Sequence, residues 1–137
     1  MDRLTIQNVE TWAVRLPTEQ QWKRAAYGDT GWSYPWGNEI DETRANYGKH
    51  VGRPTPVGSY PAGQSPYGVM DMIGNLWELC LTAWGSDSID VNGYTYRVAL
   101  GGAWNVSDPI YLSAADRGGQ PPRSRLNDAG FRCVYCY

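Results

Sequence analysis

The chain has 137 residues, 42% apolar and 19% charged, with a formal net charge of −2. That length suits one domain closing a single core, and the composition is globular rather than disordered. The weakly acidic balance argues against a nucleic-acid protein, which needs a basic surface to release counterions, and the sequence has no run of about 18 apolar residues to span a membrane.

Seven Trp and ten Tyr stand against one Phe. Both favoured rings carry a polar atom, so they suit packing that still donates hydrogen bonds, and equally a binding face. Sixteen Gly and nine Pro imply many turns and little long helix. The N-terminus, MDRLTIQNVE, lacks the basic-then-apolar pattern of a signal peptide. Display on a virion or a cell surface would therefore need a partner to carry the protein there.

In chain order, the first element is a helix in RLPTEQQWKRAAYGD. Thr18 is its N-cap, Gln21 completes a capping box, and Gly28 is placed to end it. Trp22, Ala25 and Ala26 share one face, which makes a short amphipathic helix packed on the core. From Gly31 to Ser65 the chain is dense in Gly, Pro, Tyr, Trp and Asn, so it should be irregular and packed by its own aromatics. Strands are expected at Leu76 to Leu81, Tyr94 to Leu100 and Phe131 to Tyr135, with the Asn-Gly step in DVNGYTY turning into the second.

Three cysteines, Cys80, Cys133 and Cys136, form no disulfide framework. Cys133-Val-Tyr-Cys136 is formally CxxC, but it has no second pair and no following helix, so the thiols are read as partly buried packing groups. The one histidine, His50, sits in the loop GKHVGRP as a solvated side chain. Arg117, Arg123, Arg125 and Arg132 are balanced by Asp108, Asp116 and Asp128 and are expected to serve as structural hydrogen-bond donors.

Five blocks in order, RLPTEQQWKRAA, YPWGN, AN, TPVGSYPAGQSPYGVMDMIGNLWELC and RVALGGAW…R…GFRC, resemble the formylglycine-generating enzyme family. The resemblance runs from Arg15 to Cys133 and implies an α+β fold. This is a loop-rich variant of the C-type lectin fold, with one or two short helices around a small, twisted, mostly antiparallel sheet. Residues 1–137 would form a single such domain. The segment before RLPTE is short compared with that of the related enzymes, which implies that part of a substrate groove is missing.

Enzymes of that family bind copper through a cysteine pair placed shortly after a segment similar to GGAW. The matching positions here are Val106 and Tyr111 or Leu112, and soft Cu(I) needs thiolates that these residues do not supply. A related branch uses iron held by several histidines, and this chain has one. No catalytic residue is therefore assigned and no catalytic cofactor is expected. The resemblance also implies a structural calcium held by the Asp71 and Glu78 side chains and by backbone oxygens of Gly74 and Leu76, hard ligands of the kind Ca²⁺ takes. The alternative is that Asp71 caps a turn and Glu78 pairs with an arginine. A second family calcium site would use Asn46, but its acidic partners have no match near GKHVGRP.

The segment 98–133 is similar to the end of the variable proteins of diversity-generating retroelements, which share the lectin-like fold. In those proteins a template is copied with errors at adenines, and the altered surface binds ligands or receptors. The frame would be Gly101, Gly102, Trp104, Arg117, Arg125 and Arg132, with Trp104 a large buried anchor and the arginines satisfying loop carbonyls. The positions between them would form the ligand face: Asn105, Val106, Ser107, Asp108, Tyr111, Ser113, Asp116, Gly118, Gly119, Ser124, Asn127 and Asp128. Nearly all are reachable from an Asn codon by changing its adenines. Tyr111 and Asp116, with Val106 and Asp108, are expected to lie exposed beside Trp104. The expected partner is a protein or cell-surface ligand, with no nucleic acid and no membrane insertion.

Overall fold

A computed structural model describes residues 13–90, 95–123 and 125–136. Strand β1 (Ala13–Arg15) leads into α1 (Glu19–Tyr27), and the remaining strands are β2 (Trp77–Ala83), β3 (Arg97–Leu100), β4 (Gly118–Gln120), β5 (Ala129–Gly130) and β6 (Val134–Cys136). Four of them form a sheet in the order β4-β3-β2-β5, while β1 and β6 pair as a separate antiparallel ribbon. The sheet is mixed, because β5 runs parallel to β2 although the other two pairings are antiparallel. With one α-helix and short 3₁₀ turns at Pro61–Gly63 and Pro109–Leu112, the architecture is α+β and loop-rich.

Helix α1 follows from local chemistry. The Thr18 side chain accepts from the Gln21 N–H, the Gln21 side chain accepts from the Thr18 N–H, and the Gly28 N–H closes the last turn on Arg24 O. Orphan groups at both ends thus find partners within Thr18 to Gly28 itself. Trp22, Ala26 and Tyr27 bury the inner face, whereas Ala25 is only partly buried.

The core lies between that helix and the sheet. Trp22, Met72, Ile73, Cys80, Val98, Leu100 and Leu112 pack as one cluster. All four residues of β3 are buried, as befits a central strand covered on both faces, whereas β2 alternates between half-buried and buried positions over most of its length. Burial pushes the Cys80 thiol up to about 12, with the nearby Glu78 charge adding to the effect, so Cys80 is a neutral packing group. Cys133 is exposed rather than partly buried.

Three strand expectations shift. β2 extends two residues further than Leu81, β3 starts at Arg97 with residues 95 and 96 outside it, and the last strand starts only at Val134, with residues 131–133 irregular and β5 lying before them. The Asn-Gly turn falls on residues 91–94, outside the described residues. Gly31 to Ser65 is irregular as expected, with Tyr34 stacked on Trp36 at 5.7 Å. Among the described residues no helix is long and apolar enough to cross a membrane.

Candidate functional site

The end of β3 turns sharply at Gly101 and Gly102, which hold left-handed φ angles of 95° and 69°. A Cβ on Gly101 would stand 2.5 Å from Met72 O, and one on Gly102 would stand 2.4 Å from Leu112 Cδ2 and 3.1 Å from Tyr111 O. Both sites need glycine for conformation and for space. The turn carries the chain onto the surface, where the Trp104 N–H donates to Asn75 O at 3.0 Å.

From there a second loop locks the first. Lys49 N donates to Trp104 O and Gly48 N to Val106 O, each at 2.8 Å. The Trp104 indole N–H donates to Asn127 O at 3.1 Å, and the Asn105 amide donates to the Asp128 carboxylate at 3.3 Å. Segments 104–106 and 127–128, far apart in sequence, therefore share one surface. Trp104 is half-buried rather than fully buried, because its ring bridges two surface loops instead of filling the core.

Asp108 then accepts from the Ile110 N–H and caps the 3₁₀ turn that carries Tyr111. Tyr34 donates its hydroxyl to Pro109 O, and Ala114 N donates to Ser33 O, so the aromatic 31–38 loop supports this turn from beneath. Ser107, Asp108, Tyr111 and Asn127 are exposed, whereas Asn105, Ser113, Asp116 and Asp128 are half-buried. Burial raises the Asp116 carboxyl pKa against a smaller lowering by the Arg117 backbone N–H. Asp116 therefore lies less open than the sequence reading expects.

Three assigned face positions behave differently. Val106 packs against the core cluster, so only part of its side chain is presented. Gly118 and Gly119 lie in β4, paired with Ala99 and Val98. A Cβ on Gly119 would press on the Trp84 ring at 3.0 Å. Gly119 is thus constrained by the sheet and Trp84, whereas a Cβ on Gly118 would make only ordinary contacts. Ser124 falls outside the described residues.

The arginines divide by partner. Arg117 grips Glu19 with Nε and Nη2 at 2.9 and 2.6 Å, reaches Asp87 at 3.2 Å and lies over the Trp84 ring. It thus pairs with carboxylates rather than with loop carbonyls. Arg132 does both: it holds Glu78 through two bonds of 2.6 Å and donates to Met70 O and Asp71 O. Arg125 is exposed, with no hydrogen bond or ion pair among the described residues. Sequence reasoning missed a further arginine, the buried Arg97, which donates to Leu81 O and Asp90 O. A charged residue at the head of an apolar strand run was the available signal.

Of the positions that the resemblance matches to a cysteine pair, Val106 is half-buried, Tyr111 is exposed and Leu112 is fully buried. His50 is exposed as expected, but its Nδ1 lies 3.3 Å from Glu42 and its ring meets Tyr47 edge-on. Among the described residues no group of three or more His, Cys, Asp or Glu gathers as a metal site.

The proposed calcium ligands can be tested on their donors. Both Glu78 oxygens already accept from Arg132, and Oε2 also accepts from the Trp22 indole N–H at 2.7 Å. Asp71 Oδ2 accepts from the Gly58 N–H at 2.7 Å. A guanidinium neutralises Glu78 and fills the directions a cation would need, so this arrangement does not fit Ca²⁺ and matches the arginine alternative. Gly74 then serves the backbone turn, its N–H donating to Gly101 O.

Residues 5–136 match the family described as sulfatase-modifying factor enzyme 1-like domain. The chain is 38% identical over 141 residues to hercynine oxygenase of Mycobacterium tuberculosis, covering 90% of the chain and 33% of that protein. It is 33% identical over 136 residues to the inactive C-alpha-formylglycine-generating enzyme 2 of Mus musculus, covering 88% of the chain and 42% of that protein. Among solved structures, Treponema denticola variable protein 1 superposes with a TM-score of 0.73 at 29% identity, over 90% of this chain and 47% of that one. The chain spans less than half the length of each of these relatives.

Proposed function

The chain belongs to the sulfatase-modifying factor enzyme 1-like family, and from that premise we propose that it is a non-catalytic binding protein, a variable protein of a diversity-generating retroelement. Its diversified residues are presented on a lectin-like scaffold. One observation carries this reading: Ser107, Asp108, Tyr111 and Asn127 are exposed, while the residues that hold their backbone in place are glycines, a bridging tryptophan and carboxylate-paired arginines. Replaceable side chains on a fixed backbone are what a binding surface of changing specificity requires. Tyr gives contact area at small entropic cost, and Ser, Asp and Asn give adaptable hydrogen bonds. The likeness to Treponema denticola variable protein 1 supports the same reading. The ligand is a protein or cell-surface molecule.

The DNA downstream of the coding sequence tests it. A near-copy of the segment encoding Val98 to Cys133, differing mainly where the copy has adenine and lying beside a reverse transcriptase gene, is expected. A neighbourhood with neither element would remove diversification and leave a lectin-like binder.

The similarity to hercynine oxygenase favours a second reading, an oxygen-dependent enzyme. Against it stand Val106 and Tyr111 or Leu112 in the copper-cysteine slots and the single His50. Incubation with copper, oxygen and a cysteine-containing sulfatase peptide is expected to leave the peptide thiol intact by mass. Conversion of that thiol would establish the enzyme.

A further inference from the structure

On the side of the sheet where β5 ends, a cavity of about 450 Å³ lies outside the variable loops. Val57, Met70, Leu76 and Phe131 form the apolar part of its lining, beside the polar Asp71, Asn75, Glu78 and Arg132. Phe131 is the chain's only phenylalanine and is 69% exposed, and Val57 is 85% exposed. Neither position belongs to the diversified set, so their exposure is not explained by the binding face. The volume lies in the range of sites that take a small molecule or one long side chain.

The charges in this cavity do not cancel. Glu78 and Arg132 neutralise each other through two bonds of 2.6 Å. Asp71 also lines the cavity: its Oδ2 accepts from the Gly58 N–H, and its backbone oxygen accepts from Arg132 Nη2. The Arg132 guanidinium acts on the Asp71 charge as well, but its bonds to carboxylate oxygens go to Glu78, so two carboxylates share one cation. One carboxylate is left in excess in a partly apolar lining, beside an aromatic ring that can face a cation.

We propose that this cavity binds an organic monocation on an apolar stem, with the ammonium or guanidinium group on Asp71 and the stem along Met70, Leu76 and Phe131. The Asp71 carboxylate supplies the counter-charge, and the apolar parts of the lining favour a cation with an apolar stem over a small hydrated ion. The cation can come from a free alkylamine or from a lysine side chain of a polypeptide. The site is independent of the variable face, so it stands or falls separately from the retroelement reading.

Titration calorimetry on the full chain tests it, with n-butylammonium chloride and an uncharged-ended peptide containing one lysine as two arms. Butyrate and CaCl₂ serve as comparison probes. Binding of at least one cationic probe is expected, weakened at least ten-fold by Asp71→Asn. That change keeps the acceptor for Gly58 and suits the left-handed φ of 58° at this position. Glu39→Gln, which removes one exposed charge elsewhere, should leave binding unchanged. Binding of the peptide alone would assign a polypeptide source, and binding of butylammonium a small-molecule one. The proposal is overturned by any of three results: neither cationic probe binds, Asp71→Asn binds as the native chain does, or butyrate or Ca²⁺ binds in place of both.

Discussion

Two carboxylates placed thirty residues apart show how differently this chain treats its charges. Glu78 is buried on β2 and takes every donor within reach, two from Arg132 and one from Trp22, tying helix, strand and C-terminal segment together. Asp108 is exposed, and its carboxylate accepts only from the Ile110 N–H of its own 3₁₀ turn. A charge that joins distant elements cannot be exchanged, whereas one that serves its own loop can be replaced at small cost. The same contrast separates the Gly101-Gly102 turn from the residues that follow it.

The largest way to break this contrast is at Glu78. Glu78→Ala would leave a guanidinium and an indole N–H unpaired in a mostly buried place, a loss expected to be about 3 kcal/mol or more in urea unfolding. If the midpoint barely moved, the network would not be the tie described here. Next comes Gly101→Ala. A Cβ 2.5 Å from a backbone oxygen, at a φ of 95°, should lose about 2 to 3 kcal/mol by the same measurement.

The Glu19-Arg117 pair should show an intermediate effect that depends on pH. Burial raises the Glu19 carboxyl pKa, but the hydrogen bonds of Arg117 and then of Lys23 outweigh it, and the net shift is below the ordinary 4.5. A depressed folded-state pKa gives stability that is present above 4.5 and is lost as pH falls through the folded value. Arg117→Gln should flatten that acid limb, by about 1 kcal/mol at most because Arg117 is partly open to solvent screening. An unchanged acid limb would mean that the pair contributes nothing. Smallest of all, Ser107→Ala and Tyr111→Ala should each shift stability by less than about 0.5 kcal/mol in the same assay.

What could be read from the sequence follows the same division between local and distant causes. Helix α1 was legible from cap to cap because Thr18, Gln21 and Gly28 act within one short segment. The positions of Gly101 and Gly102 were legible because only glycine suits such a turn. Strand β4 was not: Gly118-Gly119-Gln120 has no apolar alternation and is made a strand by pairing with β3. The partners of Arg117 and Arg132 were equally hidden, since Glu19 and Glu78 lie 98 and 54 residues away. The sequence suggests two alternatives for Glu78, and only the packed neighbourhood of Trp22 and Arg132 separates them.

A display library tests the division most directly, randomising Ser107, Asp108, Tyr111 and Asn127 in one arm and Glu78, Gly101, Gly102 and Arg132 in the other, with protease resistance read position by position. Most variants in the first arm should resist protease as the native chain does, and nearly all in the second should be cut. Equal sensitivity in the two arms would mean that the exposed residues are structural, and the view of this segment as a replaceable surface on a fixed frame would have to be abandoned.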